Sequence, residues 1–285
     1  MNNVSAQKIS NDVKWVFESA SLLDEGFCEV ESFEIEIPSD DILEKICADY
    51  LTTNPIKSHQ LSRLGLYFEY LFNLMIDKLS NHSVILFNYR LKDNHNLGEI
   101  DFITKDKNGK HYHWEIALKF YFQYGNGLEL KNWMGPNAKD NFDKKWQKLI
   151  YKQVPFSQKP IVRQDLLAQN IEIEKALLFV KGMLFYHPRK SDGKFPDIVN
   201  PFHKKGWWIY AHEFSQYFSY QTKWVVLEKL NWIGTPQDLE IIDGRELHQI
   251  IGKGFKKAIM VGLLEDEINF SRGFIVPAKW PSENE

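Results

Sequence analysis

Between residues 98 and 120 apolar and polar side chains alternate in two runs, GEIDFIT and HYHWEIALKF, separated by the turn cluster KDKNGK. This pattern predicts a hairpin whose arms lie side by side. Its period of two places Glu99, Asp101 and Ile103 on one face of the first arm, and Glu115, Ala117 and Lys119 together on the second. Upstream, Leu64, Phe68, Leu71, Met75 and Leu79 recur at helical spacing and predict the strongest helix of the chain, over residues 59–79. Nearer the start, Val13, Val16, Phe17 and Ala20 suggest a short helix. Residues 27–37 alternate acids with apolar side chains, as an exposed strand ended by Pro38 does, and Ser39 opens a helix carrying Ile42, Ile46 and Tyr50.

Further strands are expected at 84–91, 99–104 and 112–120, followed by a glycine-containing loop through WMGPN. A helix over 140–153 turns Phe142, Trp146, Leu149 and Ile150 to one side. A linker around Pro155 and Pro160 then leads to a buried strand at 175–186, and the remainder offers strands at 207–210, 223–230, 258–264 and 273–276 with a helix near 246–251. A helix between the third and fourth strands permits a crossover, so the expected class is α/β, a central mixed sheet flanked by helices. The chain divides into an N-terminal docking segment (1–58), a core (59–186) and a C-terminal α/β extension (187–285).

Composition narrows the function. The 285 residues are 44% hydrophobic, enough for a sizeable core, and no stretch reaches the length of a membrane span. Cys28 and Cys47 form no CxxC pair, which argues against a cysteine zinc site and fits a reducing, cytoplasmic compartment. A net charge of −3 means that an anionic partner has to be met by a local basic patch. The helix over 140–153 offers one, with Lys139 just before it and Lys144, Lys145, Lys148 and Lys152 largely opposite its apolar face. A solvated face explains the same lysines. Nine tryptophans read first as core, and stacking surfaces for bases would use the same residues.

The candidate chemistry centres on Asp101 and Glu115. Placed opposite or diagonal to each other in the hairpin, their carboxylates come within roughly 5 to 8 Å. They then repel, each raising the other's pKa, unless a cation lies between them. A divalent metal resolves the conflict; an ordinary wet face with Lys119 as counter-charge avoids it. Glu69 is the sole carboxylate between Leu64 and Ile76. It either points at this pair, with Gly65 allowing close approach of helix and sheet, or faces water. The nine histidines are scattered and compose no better site.

The segments GEIDFI, HWEIALKFY and WMGPN, with the helix over 140–153, resemble the bacterial domain-of-unknown-function family 1853 over most of the chain. The order helix, three strands, helix, strand over residues 59–186, with Asp101, Glu115 and Lys119, resembles the PD-(D/E)XK nuclease superfamily. That resemblance implies a restriction-endonuclease-like core (αβββαβ) that binds magnesium, or manganese, and cuts DNA or RNA. It makes Asp101 and Glu115 metal ligands, Glu69 an additional acid of the metal shell, and Lys119 the lysine that orients or activates water. Lys144, Lys145, Lys148 and Gln153 are the expected phosphate contacts. One departure stands out: the superfamily's lysine position holds Ala117, and Lys119 lies about 13 Å along the strand from Glu115 at roughly 3.3 Å per residue. That departure keeps open a catalytically inactive nucleic-acid-binding protein of the same fold, and the aromatic second half, by composition alone, keeps open a cytoplasmic scaffold or partner-binding protein.

Overall fold

The computed structural model describes residues 4–26, 35, 37–93, 95–237, 239–265 and 269–281. In chain order the elements are α1 (Ala6–Glu18), α2 (Asp40–Thr53), α3 (Ser58–Leu61), α4 (Leu64–Leu79), β1 (Ser83–Asp93), β2 (His95–Lys105), β3 (His111–Gln123), β4 (Trp133–Met134), α5 (Phe142–Lys148) and α6 (Pro160–Ala168). There follow β5 (Ile173–Tyr186), β6 (Lys204–Tyr210), α7 (Phe214–Tyr217), β7 (Lys223–Leu227), β8 (Ile241–Asp243), α8 (Gly244–Gly252), β9 (Ile259–Leu264) and β10 (Phe270–Val276). Cys28 and most of the strand expected at 27–37 lie outside the described residues.

The expected mixed sheet is present and runs through both halves of the chain, in the order β1-β2-β3-β5-β6-β10-β9-β7-β8, with β4 beside β3. β1, β2 and β3 form an antiparallel meander, and β5 runs parallel to β3 after the helical crossover. β6 continues the sheet from β5, so the second half extends it. Apolar side chains of α1, α2 and α4 pack with Phe102, Trp114, Ile116 and Phe120. Phe142 of α5 packs instead with Ala117, Tyr121 and Leu178, and Val162 and Leu166 of α6 with Ile100 and Ile103. Cover on both faces explains why β5 is apolar almost throughout rather than alternating. Among the described residues no helix is long and apolar enough to cross a membrane.

Two expectations fail. Residues 59–79 are not one helix: Arg63, at φ −137, separates α3 from α4. Nor is the stretch after Pro155 a linker. Pro160 sits in the first turn of α6, where its missing N–H is not needed.

Candidate active site

The β2–β3 turn fixes the register that brings the acids together. The Asp106 carboxylate accepts the N–H groups of Asn108 and Lys110, both at 2.9 Å, and Gly109 adopts φ 84. From there the ladder runs up to Phe102 opposite Trp114. Beyond it the strands part, and the Asp101 carboxylate takes the Ile116 N–H at 2.9 Å in place of a backbone partner. The neighbouring Glu115 is completely buried.

Glu115 is held by neutral donors. Its Oε1 meets Nε2 of the buried His113 at 3.0 Å, and its Oε2 accepts from Nε2 of Gln153. His113 Nδ1 in turn meets Ser157 Oγ at 2.9 Å. Lys145 Nζ donates to Gln153 Oε1 at 3.1 Å, so the lysine reaches Glu115 through an amide rather than directly. A π-helical turn over Leu149–Gln153, continuing from α5, aims Gln153 at Glu115. The following turn, Val154–Gln158, supplies Ser157. Phe156 locks that turn beneath β2 by lying against Gly98, where a Cβ would come within 2.5 Å of the ring.

The electrostatics follow from burial without full compensation. Burial, with repulsion from Glu115, pushes Asp101 up to about 7. Burial also pushes Glu115 up to about 7, against the pull of Lys145. The same burial lowers Lys145 to about 8, helped by the charge of Lys119, and lowers His113 to about 4, which leaves the imidazole neutral at pH 7. Glu69 rises to about 7 through burial, with repulsion from Asp101 adding to it, while it accepts from Asn88 Nδ2 at 3.5 Å. Asn88 has φ 50 and falls in β1 between the residues opposite Phe102 and Ile100, beside Asp101.

The structure thus joins Asp101, Glu115, Lys145 and Gln153, and leaves Glu69 close enough to feel Asp101. It separates Lys119, which pairs with Asp140 at 2.8 Å. Lys144 and Lys148 are exposed on α5 and the solvated-face expectation holds for them, whereas Lys145 turns toward the acids. Gly65 has open space where a Cβ would stand, so close approach of α4 to the sheet is not its role. His113 joins the site although the histidines are scattered along the sequence. Its signal lay in the alternation, since it precedes Glu115 by two residues and shares its face. Ser157 carried no signal, because only the crossover brings it near.

The model of a domain of unknown function, DUF1853, matches residues 11–270. The chain belongs to the DUF1853 family. No curated protein and no solved structure matches it. In this DUF1853 chain the paired carboxylates offer hard oxygen donors of the kind magnesium takes, one or two from protein, the rest from water and phosphate. Among the described residues no group of three or more His, Cys, Asp or Glu is gathered for a metal, so Glu69 stands outside the pair.

Proposed function

We propose that the chain is a magnesium-dependent nuclease that hydrolyses phosphodiester bonds in DNA or RNA, built on a restriction-endonuclease-like core. The observation that carries this reading is the carboxylate pair Asp101 and Glu115, each pushed up to about 7 beside a lysine held by an amide. Such a site is short of positive charge, and a cation completes it. The order α4-β1-β2-β3-β4-α5-α6-β5, in which β4 is a two-residue strand and β5 runs parallel to β3 after a helical crossover, supports the same reading.

Asp101 and Glu115 would hold the metal, which when bound polarises a phosphoryl oxygen and activates water. His113 and Gln153 orient the Glu115 carboxylate, each holding one oxygen. Lys145 takes the role expected of Lys119: lowered to about 8, it steadies the attacking water and passes a proton near neutral pH. Lys144 and Lys148, exposed on α5, meet the flanking phosphates.

A second reading, a nucleic-acid-binding protein without turnover, draws on the pairing of Lys119 with Asp140 and on the two-acid site. Calorimetric titration of magnesium and manganese into wild type and the folded Asp101→Ala/Glu115→Ala variant, with DNA and RNA cleavage assays alongside, separates them. Metal binding and cleavage that both vanish in the variant are expected. Metal and nucleic-acid binding without cleavage favours the second reading, and no metal binding, with or without oligonucleotide, overturns the metal mechanism.

A further inference from the structure

β3 is left unpaired along part of one edge. There it meets β2 as far as Trp114 and β4 from Phe122, and among the described residues no strand lies against it between them. The backbone directions in this gap are fixed at its ends. Ile116 N–H goes to Asp101 and Tyr124 N–H to the Asn132 carbonyl, so even-numbered residues face this edge. Lys119 faces the other way, toward β5, where a Cβ at Gly182 would run into the Lys119 carbonyl. Leu118 and Phe120 therefore turn their N–H and C=O groups into the gap.

A cavity of about 340 Å³ occupies the gap. Its wall includes Gly135, Pro136 and Asn137 of the WMGPN loop, whose role the acid site leaves unexplained. Arg63, Lys139 and Lys229 stand around it, all exposed and, among the described residues, outside the ion pairs of the chain. Phe120 and Trp232, edge to face at 5.3 Å, supply aromatic surface. Lys119 lines the cavity too and lies near enough to Lys145 to depress it, so cavity and acid site adjoin.

A cationic rim, an aromatic wall and a free strand edge match three features of one nucleotide: its phosphate, the face of its base and the edge of its base. The volume lies at the small end of ligand clefts, about 300–1,000 Å³, and a base enters such a space only when unstacked. We propose that this cavity seats one unstacked nucleotide next to the bond being cut, so that the substrate is single-stranded or frayed nucleic acid rather than continuous duplex. The proposal rests on the nuclease reading for its position in a reaction, and on the cavity alone for binding.

Fluorescence anisotropy in EDTA with labelled oligothymidylate, oligouridylate and a blunt DNA duplex tests it. Wild type and the Asp101→Ala/Glu115→Ala variant are expected to bind a single strand at least tenfold more tightly than duplex. Lys139→Glu/Lys229→Glu changes only exposed side chains and should erase that preference with the melting temperature unchanged. Trp232→Leu should weaken single-strand binding severalfold without altering its salt dependence, because it removes stacking and no charge. Duplex bound as tightly as single strand by wild type, or a preference that survives the lysine reversals, overturns the proposal even if cleavage is found. A single-strand preference in a protein that cuts nothing leaves the cavity assignment standing and removes the nuclease reading.

Discussion

Glu115 and Glu213 are both buried glutamates, and each is hydrogen-bonded to a buried histidine, yet they ionise at opposite ends of the range. Burial by itself raises both. At Glu213 the rise is overcome by Lys190 Nζ at 2.8 Å, His187 Nε2 at 2.7 Å and the Tyr210 N–H at 3.0 Å, which hold the carboxyl at about 2. At Glu115 burial dominates: the histidine is matched by a glutamine, the lysine is one amide away, and the pull of Lys145 does not offset the burial, so the carboxyl stands at about 7. A structural carboxylate is compensated inside the chain. The hairpin carboxylate is positioned just as firmly and left without its counter-charge, and the proposed site rests on that difference.

Removing each charge should break this symmetry in opposite directions. Glu213→Gln is expected to cost about 3 kcal/mol of stability at pH 7 by urea denaturation, since one pKa unit corresponds to about 1.4 kcal/mol. A loss below about 1 kcal/mol would mean that Lys190 and His187 do not sustain the ion cluster. The two lysines should differ as well. Lys145→Met is expected to lower cleavage about a hundredfold while the protein stays folded, the scale of a lost proton-transfer group, with Lys119→Met changing it less than tenfold. Equal losses would mean that Lys145 has not taken over the role expected of Lys119.

The pH dependence has opposite signs at the two places. Asp101 and Glu115 rise from 3.8 and 4.5 to about 7, so the folded chain keeps protons that the unfolded chain releases. Their contribution is full below about 4 and is lost as pH rises through about 7. Glu213, lowered from 4.5 to about 2, contributes above about 4.5 and loses that contribution as pH falls through about 2. Wild type without divalent cations should therefore lose stability between pH 5 and 8, and magnesium should flatten the decline. Glu115→Gln should be about 2 kcal/mol more stable than wild type at pH 8 in EDTA and bind magnesium poorly. A flat wild-type profile would mean that the acid pair carries no charge deficit.

The hairpin, the facing acids and most strands were legible because a period of two is local and the turn residues are explicit. What escaped depended on contacts across the fold. A helix over 140–153 extrapolates from the spacing of Phe142, Trp146 and Leu149, but α5 gives way at Leu149 to a π turn, and that change sets where Gln153 points. Lys145 looked like one member of a solvated row because nothing local distinguishes it from Lys144. Lys119 kept the right face, and Asp140, 21 residues away, claimed it. Pro155 and Pro160 read as breakers in the sequence, yet each stands in the first turn of a helical segment, where a missing N–H costs nothing.

Ser157 gives the finest test of how much the neutral donors matter. It is buried, and its hydroxyl meets His113 Nδ1 at 2.9 Å. With Glu115 ionised, Nε2 carries the imidazole proton toward the carboxylate, so Nδ1 accepts from the serine and the hydroxyl fixes the tautomer. Ser157→Ala leaves a buried acceptor without its donor and should cost about 1 kcal/mol. A freer imidazole holds Glu115 less well, so magnesium affinity should fall severalfold by calorimetry, while the Glu213 cluster is untouched. If stability drops by that amount and metal affinity stays the same, His113 packs beneath the site without orienting the carboxylate, and the contrast with Glu213 rests on Gln153 and Lys145 alone.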